Sequence, residues 1–134
     1  IKNDQKNQNQ DSLDKINKIL LVDDNKFVLS TLKDFLTQKG FDVVVAQNGT
    51  EALNIIKETQ NVDLLLTDIV MPEMNGEQLH RAILKHFPDI KTVFISAYPK
   101  EVLDEYYLKN PDINCLHKPF STDKLIDNIN AMVK

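Results

Sequence analysis

Cysteine is nearly absent. Cys115 is the only one in 134 residues, which excludes an internal disulfide framework and a cysteine-based zinc cage. Long apolar runs are missing too. None approaches the roughly 18 residues of a membrane span, so this domain is expected to make no membrane contact. Positive charge is in the minority, with 16 Lys plus Arg against 20 Asp plus Glu, a formal net charge of -4 and a pI near 5.3. That is the wrong sign for a domain that grips phosphate backbones through its overall field, and no direct nucleic-acid contact is expected from it. Glycine is scarce, at three residues, and no Gly/Ser-rich linker or low-complexity run interrupts the chain after its N-terminal stretch. What is present is 15.4 kDa with 42% hydrophobic and 27% charged residues, enough for one domain with one core and too little for two. A reducing, cytoplasmic setting fits these properties best.

Residues 1–17 (IKNDQKNQNQDSLDKIN) offer only Ile1, Leu13 and Ile16 to a core and are otherwise polar. Such a composition does not offset the entropy of ordering, so a disordered tail or linker is expected there, followed by a folded domain over 18–134. The chain opens with Ile rather than Met and has no charged-then-apolar leader, so it is expected to be a piece of a longer protein rather than a secreted precursor.

From Lys18 onward short apolar runs alternate with segments of helical period. The runs are Ile19 to Val22, Val43 to Ala46, Leu64 to Thr67, Thr92 to Ser96 and, weakest, Ile113 to Leu116. Consecutive apolar positions imply burial on both faces, as in a parallel sheet. Between them apolar residues recur at helical spacing, as in Val28, Leu32, Phe35 and Leu36, or Leu125, Ile129, Met132 and Val133. Gly40 is placed to end the first helix and Ser121 to cap the last. Five strand-helix units with right-handed crossovers predict a doubly wound α/β domain, with helices on both faces of an open parallel sheet. In such sheets ligands bind beyond the carboxyl ends of the strands.

Those ends carry Asp23 and Asp24 after the first strand, Asp68 after the third, Ser96 closing the fourth and Lys118-Pro119 past the fifth. Three carboxylates about 4 Å apart repel by roughly 4 kcal/mol per pair at an effective dielectric of 20, more than one lysine cancels. A divalent cation resolves this. Oxygen-only ligation completed by waters suits magnesium, whereas zinc wants His or Cys, and a partly hydrated magnesium usually serves a phosphoryl group. A carboxylate that attacks phosphorus needs a metal, a lysine and a hydroxyl around the charge that develops. Asp68, Lys118 and Ser96 fill those roles.

The stretches ILLVDDN (19–25), LLLTDIVMPEMNG (64–76), VFISA (93–97) and LHKPF (116–120) resemble, in order and spacing, the receiver domain of two-component response regulators, over about residues 18–134. The resemblance implies a flavodoxin-like five-stranded parallel sheet of order 2-1-3-4-5. It makes Asp68 the phosphoacceptor, charged by a histidine kinase or a histidine phosphotransfer domain. Asp24 becomes a direct ligand of Mg2+, with Mn2+ as a substitute; Asp23 is a ligand through water, and the Val70 backbone carbonyl is a third protein oxygen. Lys118 pairs with the phosphoryl group, the Ser96 hydroxyl swings toward it after transfer, and Lys118-Pro119 matches the family's usual cis peptide. Such a domain catalyses its own phosphorylation and dephosphorylation without being a conventional turnover enzyme, and it switches the binding of an output partner or domain.

Each feature alone has a plainer explanation. An Asp pair before a helix caps it, Asp before a Pro- and Gly-containing turn is ordinary loop chemistry, and a strand-end serine bonds backbone. His80, His86 and His117 have no metal-pair spacing and are expected to be solvated or structural. Tyr106 and Tyr107, beside Val102 and Leu103, are expected to be part core and part surface.

Receivers usually carry an aromatic three residues before the lysine. Cys115 stands there, so activation is expected to be read through Ala97, Tyr98 and the helix that follows. Neither Val70 nor Tyr98 guides an attacking water, which predicts slow loss of phosphate. A flavodoxin is excluded because Asp23 and Asp24 repel FMN phosphate. A haloacid-dehalogenase-type phosphatase is excluded because Val70 replaces its general acid. A pseudo-receiver acting as a phosphorylation-independent interaction module is the alternative. Arg81 is the only arginine, and the last helix lacks the arginine-aspartate pairs of dimerising DNA-binding regulators. The polar start favours the receiver of a hybrid histidine kinase over a stand-alone relay.

Overall fold

A computed structural model describes residues 15–99, 101, 102, 105 and 112–133. The sequence expectations for 1–14 and for Leu103, Tyr106 and Tyr107 lie outside them. Strands β1 (Lys18–Val22), β2 (Asp42–Ala46), β3 (Leu64–Asp68), β4 (Lys91–Ser96) and β5 (Ile113–His117) form one parallel sheet of order β2-β1-β3-β4-β5. Four described helices connect or flank them: α1 (Lys26–Gln38), α2 (Gly49–Glu58), α3 (Gly76–Leu84) and α4 (Thr122–Ala131). Every apolar run read from the sequence is a strand, each one residue longer.

Alternation along the central strands sorts the core into two layers. Ile19, Leu21, Leu64, Leu66, Val93 and Ile95 face α1 and α4 and meet Leu29, Leu32, Leu36, Leu125 and Ile129. Leu20, Val22 and Leu65 face the other way, onto Ala52 and Ile56 of α2 and Leu79 and Ile83 of α3. Burial on both faces holds for β1, β3 and β4. The edge strands differ: Val44 and Val45 of β2 and the first three residues of β5 are half-buried, because each has a neighbouring strand on one side only. Ile16, placed in the tail by its polar surroundings, is buried in the α1/α4 layer, and Asp63 Oδ2 accepts from the N–H groups of Asn17 and Lys18 at 2.9 Å each.

Helix ends follow local chemistry. Gly40 adopts φ +99°, its N–H donates to Thr37 O and the Phe41 N–H to Leu36 O, the paired bonds of a Schellman stop that few side chains tolerate. Ser121 Oγ accepts from the Lys124 N–H, and Asn75 with Gln78 closes a reciprocal capping box on α3. These stops fix the loops at the carboxyl edge of the sheet, where the charged residues gather.

Candidate functional site

At that edge β1 delivers Asp23 and Asp24, β3 delivers Asp68, β4 delivers Ser96, and the turn after β5 delivers Lys118. Neither Asp23 nor Asp24 caps the helix that follows. Asn25 takes that role, its Oδ1 accepting from the Phe27 and Val28 N–H groups at 2.9 and 3.2 Å. The aspartates are thereby left for other work, and the capping explanation falls away.

One carboxylate oxygen from each of Asp23, Asp24 and Asp68 lies within 4.8 Å of the others. Asp23 is 2% exposed; its Oδ1 accepts from the Asn25 N–H at 2.8 Å, while its Oδ2 is buried with no hydrogen-bond partner. Burial pushes the Asp23 carboxyl above its usual range. The Asn25 N–H opposes this, the Asp68 charge raises it further, Lys118 lowers it and Asp24 raises it. A buried acceptor without a hydrogen-bond partner is costly, and the carboxylates of Asp24 and Asp68 lie beside this one.

Asp68 is buried and Lys118 Nζ donates to its Oδ2 at 3.1 Å. The Lys118 N–H also donates to Ser96 O at 2.8 Å, so the lysine is tied to β4 as well. Its peptide to Pro119 is cis, as the motif implies. Ser96, 1% exposed, accepts from the Tyr98 N–H at 2.9 Å through Oγ, and the backbone bond that the plain explanation foresaw is present.

Close approach shapes the loop after Asp68. The Gly76 N–H donates to Ile69 O at 2.8 Å, and a Cβ at Gly76 would run into Asp68 O and the Ile69 Cα. Glycine is required there for space and sets the start of α3 against the end of β3. Val70, two residues past Asp68, is 59% exposed, and Ala97 and Tyr98 are exposed just past Ser96. Cys115 does not join the carboxylates; it is half-buried beside Ile69 and Phe94.

Among the histidines, His86 and His117 are exposed, as expected of solvated side chains. His80 is structural and buried: its Nδ1 is 2.9 Å from Thr92 Oγ1 and its ring meets Phe94 edge-on. Burial, helped by Arg81 and opposed by Glu77, lowers its pKa. The sequence reading missed Phe27, 77% exposed, which with Val28, Thr31, Ala97, Lys118, Pro119 and Phe120 lines an apolar groove of about 600 Å³. The spacing of Phe27 and Thr31, one turn apart and off the core stripe of α1, is the signal that marks it.

The motif order, now seen as one convergent edge, agrees with comparisons to known proteins. The family model described as "Response regulator receiver domain" matches residues 19–130. The chain belongs to that family. This receiver domain is 35% identical over 117 residues to the sensor kinase CckA of Brucella abortus, covering 87% of the chain but only 12% of that kinase. Against the chemotaxis protein CheY of Thermotoga maritima it is 33% identical over 118 residues, covering 87% of the chain and 98% of the relative. The crystal structure of the response regulator TrrA of Thermotoga maritima, in complex with Mg2+ and BeF, superposes with a TM-score of 0.73 at 29% identity, over 87% of this chain and 99% of that one. The domain is thus a receiver of a two-component system, with the flavodoxin-like topology of its relatives. Among the described residues, no helix is long and apolar enough to cross a membrane.

The donor set fits a hard divalent cation. It is all oxygen, it carries excess negative charge, and it contains an orphaned buried oxygen; among the described residues no histidine or cysteine joins it.

Proposed function

We propose that this receiver domain takes a phosphoryl group from the phosphohistidine of a histidine kinase or histidine phosphotransfer domain onto Asp68, with Mg2+ held by Asp23, Asp24, Asp68 and the Val70 carbonyl. The observation that carries this is the convergence of three carboxylates, one with an unpartnered buried oxygen, beside a lysine already bonded to Asp68. When bound, Mg2+ supplies positive charge to the phosphoryl oxygens, and Mn2+, which also accepts oxygen ligands, substitutes.

The chain's own groups account for the rest. An Asp68 carboxylate oxygen attacks phosphorus, the O–P bond forms as the N–P bond breaks, and the imidazole leaves with the bonding pair. Lys118, 3.1 Å from Asp68 Oδ2, exchanges its partner from carboxylate to phosphoryl oxygen and offsets the charge that spreads over the transferring group. Ser96 Oγ then releases the Tyr98 N–H and turns its hydroxyl toward the phosphoryl group. That bond, at 2.9 Å, is the restraint that the unphosphorylated state keeps.

The apolar groove from Phe27 to Phe120 supports a protein donor: Lys118, which is bonded to Asp68, also lines it, so a donor helix resting its apolar side there brings a phosphohistidine near Asp68. Phosphorylation acts by shifting a two-state equilibrium, so the output partner binds one state better. Transfer from a phosphorylated histidine phosphotransfer domain tests the assignment. Label should appear on the wild type and be absent from Asp68→Asn; label retained on Asp68→Asn, or none on either, refutes it.

A further inference from the structure

The side of β4 that meets α3 holds a file of buried residues whose order bears on how the site is heard elsewhere in the domain. Thr92, Phe94 and Ser96 alternate onto one face of the strand and are 0, 1 and 1% exposed. Ser96 is the hydroxyl beside Asp68, and Phe94 is the next residue along that face. Phe94 packs in one cluster with Ile69, the residue immediately after Asp68, and Ile113 and Cys115 pack against that cluster. In register, Phe94 lies opposite Thr67 on one neighbouring strand and Cys115 on the other.

The file ends on helix α3. His80 bridges its two inner members, with Nδ1 2.9 Å from Thr92 Oγ1 and its ring 5.5 Å from that of Phe94 at 73°. Burial favours the neutral imidazole, which suits this contact. The same helix is held a second time, at its start, where the Gly76 N–H donates to Ile69 O. Both ties lead from the Asp68 strand end to α3, whose residues Gln78, Arg81 and Lys85, the last just past its end, are exposed.

We propose that Phe94 is the ring through which the state of Asp68 reaches α3, with His80 as its contact on that helix, in place of an aromatic at position 115. The proposal rests on Asp68 being the phosphoacceptor. Close-packed interiors do not absorb a displaced neighbour, so the departure of Ser96 Oγ from Tyr98 changes the space beside Phe94 and turns its ring against the His80 edge. Cys115 has a single heavy atom beyond Cβ and offers room on the β5 side rather than a second ring. His80 and Phe94 are therefore positioning residues for the output of α3, and neither touches the reacting atoms.

The test is the response of the His80 ring to Mg2+ and beryllofluoride, read by NMR on the labelled domain, with His80→Gln used to tell its resonances from those of His86 and His117. The His80 ring resonances should move together with the amides of Asp68 and Ser96. In Phe94→Leu the Asp68 and Ser96 amides should still move while the His80 response is lost; in Cys115→Ala the response should persist. An unmoved His80 in a wild type whose Asp68 and Ser96 amides respond overturns the proposal, even if Phe94→Leu fails to fold. So does a His80 response that survives Phe94→Leu. Silence at all sites, Asp68 and Ser96 included, refutes the phosphoacceptor assignment and the relay with it.

Discussion

Replacing Asp23 by asparagine should make the metal-free domain more stable. Asp23 is 2% exposed, and its carboxylate lies within 4.8 Å of those of Asp24 and Asp68. At an effective dielectric of about 20, each such pair repels by roughly 3–4 kcal/mol, an upper figure that the exposure of Asp24 and the Lys118 ammonium both reduce. Asparagine keeps an oxygen for the Asn25 N–H and places an amide donor where the unpartnered Oδ2 was. A net gain of about 1–3 kcal/mol follows, equivalent to a melting temperature higher by about 4–12 °C in a domain of this size. The sign of the pH dependence is fixed by the direction of the shift. Because the folded carboxyl binds its proton more tightly than the unfolded one, ionised Asp23 costs stability above that window, and the cost fades as pH falls toward the ordinary value of 3.8. Thermal and urea unfolding of wild type and Asp23→Asn in chelator, at pH 7.5 and pH 4, measures this. The gain should be present at pH 7.5 and shrink at pH 4. Magnesium at about 100 times its dissociation constant should raise wild-type stability by about 2.7 kcal/mol and the variant much less. A variant no more stable than wild type at pH 7.5 without metal refutes the reasoning.

Other outcomes follow from the same geometry. Lys118→Ala should reduce labelling of Asp68 by small phosphodonors at least about tenfold, a loss of one well-placed cation, and should lower stability by about 1–3 kcal/mol in urea because it leaves buried Asp68 without its cation beside two other carboxylates. Gly76→Ala should destabilise the fold by about 2 kcal/mol or more in urea, since the new Cβ meets backbone atoms of Asp68 and Ile69 that have nowhere to go. Val70→Asn, at an exposed position two residues past Asp68, should shorten the lifetime of an Asp68 phosphate by placing an amide that can guide a water; an unchanged decay rate counts against it.

Much of this was legible in the order of residue types. Consecutive apolar runs named all five strands, most clearly the three that lie between neighbours and are buried on both faces, where apolar side chains are favoured at consecutive positions. The edge strand β2 shows the limit of that rule, since VVVA (43–46) reads as fully buried yet Val44 and Val45 are only partly so. Neighbour count is a property of the sheet, which one segment does not carry. Asp23, Asp24, Asp68, Ser96 and Lys118 were legible because a parallel sheet sends its strand ends to one edge. That Asn25 caps α1 and so frees both aspartates was not, because three consecutive residues, Asp23 to Asn25, are all good caps and only the helix start decides among them.

His80 is structural, one of the two roles its sequence context allows, and its burial was readable from the helix. Gly76, Leu79, His80 and Ile83 form the inward stripe of α3 at helical spacing, and position outranks polarity when Thr92 supplies a partner. Phe27 is apolar and exposed, set off the core stripe one turn before Thr31, and the groove beside Lys118 gives that position meaning.

The central claim is that Asp68 forms an acyl phosphate in a site completed by a divalent cation. Intact mass after incubation with magnesium and acetyl phosphate, run beside Asp68→Asn and a chelator control, tests it most directly. One added phosphoryl group, lost in the variant and under chelation, is the predicted result; no addition to the wild type, or addition that persists in Asp68→Asn or without metal, contradicts it.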